Sequence, residues 1–334
     1  MKKLLTLICV VALTLCSCLT FVACNNNNSN VSSGKIRINE VTHSVFYAPL
    51  YVAINKGFLK ENGIEVELVN GGGSDASMTA LLSGSADIAL MGPETVVYVE
   101  ASGSTDHPVV FGQLTKKDGS FLISKSNITN FDFSNDLKNK TAIIGRRGGL
   151  PAMTFEWVCN NHGLKNGTNI TLDTDTAFNM MVPVFESTDA EFCTMFEPTA
   201  SAFVNNKKGY NLISVGELSG EIPYTCFMAY PKFLNQNKEL ATNFLSAIQK
   251  AYRFIISNSA EEVASALMPS FDGTSKQDLA VAVQKYLEID AWSSTPVMSK
   301  DSFNRLLSVL KNAGTIEKDI DFSKVVDNTI ANTI

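Results

Sequence analysis

The sequence predicts an α/β protein of two lobes, joined by a hinge of two chain crossings and followed by a helical tail. Three observations carry this. A strand–loop–helix pattern runs through residues 35–120 and returns through about 125–216. Strands alternating with helices of this length imply parallel sheets covered by helices. After Gly216 the texture changes to one last strand and then long helical patterns. The natural place for that tail is on the first lobe. The chain then crosses between lobes near 115–125 and again near 216–224, and two crossings make a hinge.

The bulk numbers agree with such a body. The chain has 334 residues, 45% hydrophobic and 18% charged, enough for about two globular domains. Its net charge of −6 argues against nucleic acid, which needs a basic face. No run of like charge marks a tail or a surface anchor.

The N-terminus sets the compartment. Met1-Lys2-Lys3 is basic, residues 4–15 are apolar without a charge, and Phe21-Val22-Ala23-Cys24 precedes an Asn-rich tract. Residues 1–23 read as a signal peptide. A small residue directly before a cysteine resembles a bacterial lipoprotein cleavage site, with Cys24 as the lipidated residue. Leu15-Cys16-Ser17-Cys18 is a rival site, but cutting there leaves apolar residues 19–23 in the mature linker. A transmembrane anchor starting at Leu4 is the alternative; a stretch of about 20 apolar residues can span. Residues 24–34 form a disordered linker rich in Asn and Ser. Beyond it, Cys159, Cys193 and Cys226 are odd in number and lack a CxxC spacing. They read as buried small apolar side chains, with one disulfide left open, rather than a zinc site.

The first lobe takes residues 35–120. Residues 36–41 alternate apolar and polar as a strand. Residues 41–63 then form a strand–turn–helix unit, with Ser44, Phe46 and Tyr47 in the turn and Pro49 in the first helical turn, where its missing N–H costs nothing. Residues 64–69 are a second strand. Gly71-Gly72-Gly73 breaks it, Ser74 or Asp75 caps a helix over 76–82, and Gly84 ends that helix. Residues 86–91 are a short buried strand, Gly92-Pro93 a turn, 94–102 a helix and 109–114 a fourth strand.

The second lobe takes residues 121–218. Residues 141–145 are a strand, 146–149 a loop and 152–161 a helix opened by Pro151. Residues 170–172 are a strand, 178–185 a helix, 190–196 a strand, 197–204 a helix entered through Pro198, and 212–215 a strand. Residues 219–334 return to the first lobe, with a strand over 224–229 and helices over 239–257, 260–267, 276–288, 300–313 and 322–332.

Particular motifs sharpen the reading. Tyr47-Ala48-Pro49-Leu50-Tyr51-Val52-Ala53, Lys56-Gly57-Phe58-Leu59 and Asn62-Gly63-Ile64-Glu65-Val66 resemble the opening of the SsuA/THI5-like (NMT1-like) family. So do Ala80-Leu81-Leu82-Ser83-Gly84-Ser85-Ala86-Asp87-Ile88-Ala89, the loop Gly92-Pro93-Glu94, and Phe196-Glu197-Pro198. The similarity spans about residues 36–320. It implies the type 2 periplasmic-binding-protein fold, with two α/β lobes around a ligand cleft. It also implies the solute-binding lipoprotein of an ABC importer, a monomer held at the extracytoplasmic side of the cell membrane by its lipid. Its partners are then a small-molecule solute, a permease and an ATPase, with no cofactor.

In that fold, loops after the strands hold the ligand, as in other open α/β sheets. This places His43, Ser44, Phe46 and Tyr47 in one wall, where an aromatic can stack on a flat ring. Gly73 and Ser74 follow the second strand and expose N–H groups suited to an anion or a carbonyl. Met91, Gly92, Glu94 and Thr95 follow the third, with Glu94 an acceptor for a ligand amine. Arg146, Gly148 and Gly149 come from the second lobe, where Arg146 can fork onto a carboxylate, sulfonate or phosphate. Glu197 enters from the last loop, its backbone fixed by Pro198. Each has a plainer alternative: core packing for the aromatics, a structural histidine, a helix-start glutamate that favours the macrodipole, a surface arginine.

Glu94 and Glu197 favour a ligand with amine donors, whereas Arg146 and the glycine loops favour an anion. An amino-heteroaromatic compound, such as a pyrimidine thiamine precursor, satisfies the carboxylates and the aromatics together. A sulfonate, taurine or nitrate satisfies only the arginine and the N–H groups. An enzyme is disfavoured, since His43, His107 and His162 show no metal spacing and no Gly-x-Ser-x-Gly or Cys–His signature occurs. A sensor lipoprotein that reports solute to a membrane receptor has the same sequence signature as an importer component.

Overall fold

The computed structural model describes residues 34–334, so the signal peptide, Cys24 and most of the linker lie outside the described residues. The described chain is built on two five-stranded sheets, each with helices. The first sheet holds β1 (Gly34–Glu40), β2 (Ile64–Asn70), β3 (Ile88–Met91) and β4 (Val109–Thr115). The second holds β5 (Ser120–Ser124), β6 (Thr141–Ile143), β7 (Thr171–Asp173), β8 (Phe192–Phe196) and β9 (Tyr210–Ser214). The chain then returns to the first sheet as β10 (Thr225–Ala229).

The two sheets repeat one plan. Their orders are β2-β1-β3-β10-β4 and β7-β6-β8-β5-β9. In each, four strands run in one direction, and the strand that enters directly from a crossing runs antiparallel between two neighbours. These are the two lobes expected of the type 2 binding-protein fold. Every residue of β3, β4, β5 and β10 is buried, as strands covered on both faces must be, whereas edge strand β2 alternates.

The helical tail covers the first sheet. Its longest helix, Lys238–Ser257, buries Leu240, Phe244, Leu245, Ile248, Ala251 and Ile255 at helical spacing. That stripe packs on the helices Ala48–Asn55 and Phe58–Glu61. Full burial of a phenylalanine or leucine contributes about 1.5–3 kcal/mol, so this one helix fastens the opening unit firmly. Two later tail helices also reach the second lobe: Lys276–Glu288 meets Thr199–Asn205, and Lys300–Asn312 meets Leu150–Asn161.

The hinge is braided from three segments. Residues 116–119 lead out of β4, and residues 220–224 lead back to β10. Ile222 N donates to Lys116 O at 2.9 Å and Tyr224 N to Thr115 O at 3.1 Å, which ties the two crossings together. Tail residues 289–293 lie alongside. Lys116 N donates to Ala291 O at 2.9 Å, Lys117 Nζ to Ile289 O at 2.8 Å, and Lys116 pairs with Asp290 at 2.6 Å.

Two local expectations are corrected. The helix expected over 322–332 is the single turn Phe322–Val325. Val326 then bridges to Val110 beside β4, and Asn328 brackets Met298 through both its amide atoms, so side-chain bonds and β-pairing replace helical ones. The helix after β2 begins at Ser74 with Gly73 as its N-cap, a residue with no side chain to cap it, and Asp75 inside the first turn accepts from Arg146 instead. Cys159, Cys193 and Cys226 are all buried free thiols. Among the described residues no helix is long and apolar enough to cross a membrane.

Candidate functional site

A cavity of about 720 Å³, its mouth included, lies between the two sheets and is walled by loops at the carboxyl ends of strands. Ser44, Phe46 and Tyr47 come from the end of β1, Gly73 and Ser74 from β2, and Gly92 and Glu94 from β3. Arg146 and Gly149 come from the loop after β6. The backbone conformation after each strand thus decides which side chains meet.

Ser44 sits at the start of the first wall because it caps the short turn Val45–Tyr47. Its Oγ accepts from Phe46 N at 3.2 Å and donates to Glu197 O at 3.0 Å, bridging the lobes. Phe46 is enclosed by the rings of Tyr47, Phe196, Tyr224 and Tyr286, with centroids between 5.2 and 5.9 Å away. Its carbonyl accepts from Trp292 Nε1 at 2.9 Å. The floor of the cavity is therefore a rigid aromatic cluster. Gly119 in the hinge makes room for it, since a Cβ there would lie 2.5 Å from the Phe46 ring.

Glu94 is the electrostatic centre. It is only 2% exposed, and its Oε2 has no hydrogen-bond partner among the described residues. Burial pushes its carboxyl up to about 7, against the pull of Arg146. A side chain at position 92 would collide with it: a Cβ on Gly92 would lie 1.9 Å from Oε2. Arg146, the cation at the rim, is already engaged. Its Nη2 donates to Asp75 Oδ1 at 2.9 Å across the cleft, and both groups are well exposed.

The other expected residues lie apart from this cavity. Met91 is wholly buried and pairs with Cys226 in the sheet. Thr95 donates to Gly92 O at 2.8 Å and so shapes the turn. The carbonyl of Gly148 accepts from Tyr98 OH at 3.1 Å. His43 stacks between Tyr51 and Phe271, with Nδ1 at 2.8 Å from Glu40 Oε1 and Nε2 at 2.5 Å from Ser270 O. The hydrogen bond to Glu40 holds its pKa above the ordinary histidine value. Glu197 spends its carboxylate within the protein: Oε1 accepts from Lys285 Nζ at 2.6 Å and Ser201 Oγ at 3.0 Å, and Oε2 from Ser201 N at 3.0 Å.

Sequence reasoning missed Ile144, Phe178, Phe196, Tyr224 and Thr225, which also line the cavity. Phe196 stood in a recognised motif beside Glu197, and that adjacency was its only signal. Tyr224 lies on a crossing, which no strand–loop rule marks.

The profile of the family described as NMT1/THI5 like matches residues 45–262. YtlA of Bacillus subtilis (strain 168), a binding protein by name only, is 38% identical over 300 residues, 90% of each chain. Among solved structures, the ligand binding component of an ABC-type import system from Staphylococcus aureus, with zinc bound, is similar with a TM-score of 0.70. The identity is 14%, over 90% of this chain and 98% of that one. The alkanesulfonate-binding protein SsuA from Xanthomonas axonopodis pv. citri, bound to MOPS, gives a TM-score of 0.68 at 14% identity, over 89% of this chain and 97% of that one. Among the described residues of this chain no cluster of three or more His, Cys, Asp or Glu has the arrangement of a metal site.

Proposed function

This chain belongs to the NMT1/THI5-like family, and on that premise we propose that it is the extracytoplasmic solute-binding lipoprotein of an ABC importer, specific for an amino-heteroaromatic solute. The lobes close on the solute and present it to a permease and its ATPase; no bond is broken. Differential affinity for the closed form drives closure. Cys24 carries the lipid that holds a monomeric protein at the membrane, and residues 35–120 with 219–334 form one lobe against 121–218.

One observation carries the ligand class: the buried, unpartnered Oε2 of Glu94 in a chamber floored by aromatic rings. A buried carboxylate oxygen without a partner is costly, and a ligand N–H removes that cost. A flat ring bearing an amine meets the carboxylate and the aromatics at once. Thermal shift across amino-pyrimidines, other heteroaromatic amines and sulfonates tests the reading. A true ligand raises the melting temperature with the logarithm of its concentration. No shift with any amine-bearing ring would sink it.

A second reading is an anion site of the sulfonate, taurine or nitrate kind, favoured by Arg146 at the rim and the Gly73–Ser74 backbone. It requires Arg146 to leave Asp75 for the ligand. A shift with taurine or nitrate and none with aromatic amines would establish it in place of the first.

A further inference from the structure

The cleft continues beyond the aromatic chamber. Thr42, Ser44, Phe178 and Phe196 line that chamber and also a second one of about 730 Å³, mouth included, on their far side. Ser44 is the fixed post of this partition, held by Phe46 N on one side and Glu197 O on the other.

The second chamber has different chemistry. Thr42, Asn179, Thr194 and Thr199 line it and bring three hydroxyl groups and an amide to its wall. The two ionisable groups beside them are already neutralised. His43 is paired with Glu40, and Glu197 with Lys285. What the chamber offers is therefore a set of uncharged donors and acceptors and no free charge. Hydroxyl and amide side chains pair with hydroxyl or carbonyl groups, and an ionic group there would meet no counter-ion.

We propose that this second chamber is a subsite for an uncharged, hydroxyl- or carbonyl-bearing arm of the solute, attached to the ring that sits beside Glu94. The proposal rests on the ring-binding reading above and adds a second half to the ligand. Phe178 and Phe196 then grip the junction between ring and arm, since both face both spaces.

Matched pairs test it: cytosine against cytidine and adenine against adenosine, titrated calorimetrically into the full-length protein and into the double variant Asn179→Leu, Thr199→Val. Both positions are exposed, so the fold tolerates the changes. Two added hydrogen bonds predict that the hydroxylated member binds about tenfold more tightly in the parent. The same ratio is expected to collapse towards unity in the double variant. A ratio near unity in the parent, or one that survives in the variant, overturns the subsite while leaving ring binding intact. If neither member of either pair binds, the aromatic-amine reading fails and the subsite fails with it.

Discussion

Tyr224 donates its hydroxyl to Asp118 Oδ2 at 2.8 Å, so the return crossing is fastened to the outgoing one by two buried side chains. The other oxygen of Asp118 accepts from Ser120 N at 2.7 Å and Ser120 Oγ at 2.6 Å. Even so, burial outweighs these donors and pushes the carboxyl from 3.8 up to about 6. The folded pKa is raised, so the associated stability is fully present below about 3.8 and is lost as pH rises through about 6. That contribution is on the order of 2–3 kcal/mol. Denaturant melts of the parent and of Asp118→Asn between pH 4 and 8 are expected to differ in slope, with the parent alone losing this part of its stability. Parallel curves would show that Asp118 does not titrate in this window.

Glu94 carries the same sign at a higher pH. Its stabilising protonated form is lost as pH rises through about 7. Glu94→Gln is expected to raise stability at pH 8 by about 1–3 kcal/mol, the cost of an uncompensated buried polar group. The same change is expected to weaken an amine-bearing ring by tenfold or more. In the parent, affinity for a permanently cationic ring should fall as pH drops below about 7. Calorimetric titration at pH 6 and 8 measures both effects, and a pH-independent affinity would remove Glu94 from the site.

Gly92 and Glu94 constrain each other. A Cβ at position 92 would sit 1.9 Å from Glu94 Oε2, so Gly92→Ala must displace the carboxylate. The expected loss is about 1–3 kcal/mol. Glu94→Ala should rescue most of it, and a double-mutant cycle reads the coupling directly. Additive effects would mean that the two positions adjust independently.

Asp75 and Arg146 form an exposed pair across the cleft mouth. Exposed pairs contribute between 0 and about 1 kcal/mol, so Asp75→Ala should barely change the melting temperature. Its effect belongs on closure instead. Small-angle scattering should show a larger radius of gyration for Asp75→Ala at low salt, with the difference fading as salt screens the parent's pair. Equal radii at every salt concentration would leave the pair without a part in closure.

How far the sequence could be read follows from the range of the forces involved. Strand alternation and helix periodicity are local, and they yielded the strand–loop–helix order and hence both sheets. The loops after β1, β2 and β3 could be placed at the cleft because a parallel sheet fixes where its carboxyl ends point. Side-chain commitments were not legible where the partner is remote. Glu197 looked free beside Pro198, yet Lys285, 88 positions later, takes it. Arg146 looked free in a glycine loop, yet Asp75, 71 positions earlier, holds it. Over residues 322–332 the apolar spacing favoured a helix, but pairing of Val326 with Val110 and the bonds of Asn328 to Met298 won.

Tail residues 289–293 run beside the outgoing crossing of the hinge, which is itself bonded to the returning one. Two strands joined only to each other can bend and also twist, which gives two rotations about different axes. A third strand, bonded to Lys116 and Lys117 and carrying Trp292 into the Phe46 carbonyl, restrains the twist. For the closure proposed above, that leaves the lobes one soft coordinate, opening and shutting like a book whose spine has been stitched. The C-terminal third of the chain thereby governs the direction of a motion that takes place between two bodies built largely by the rest.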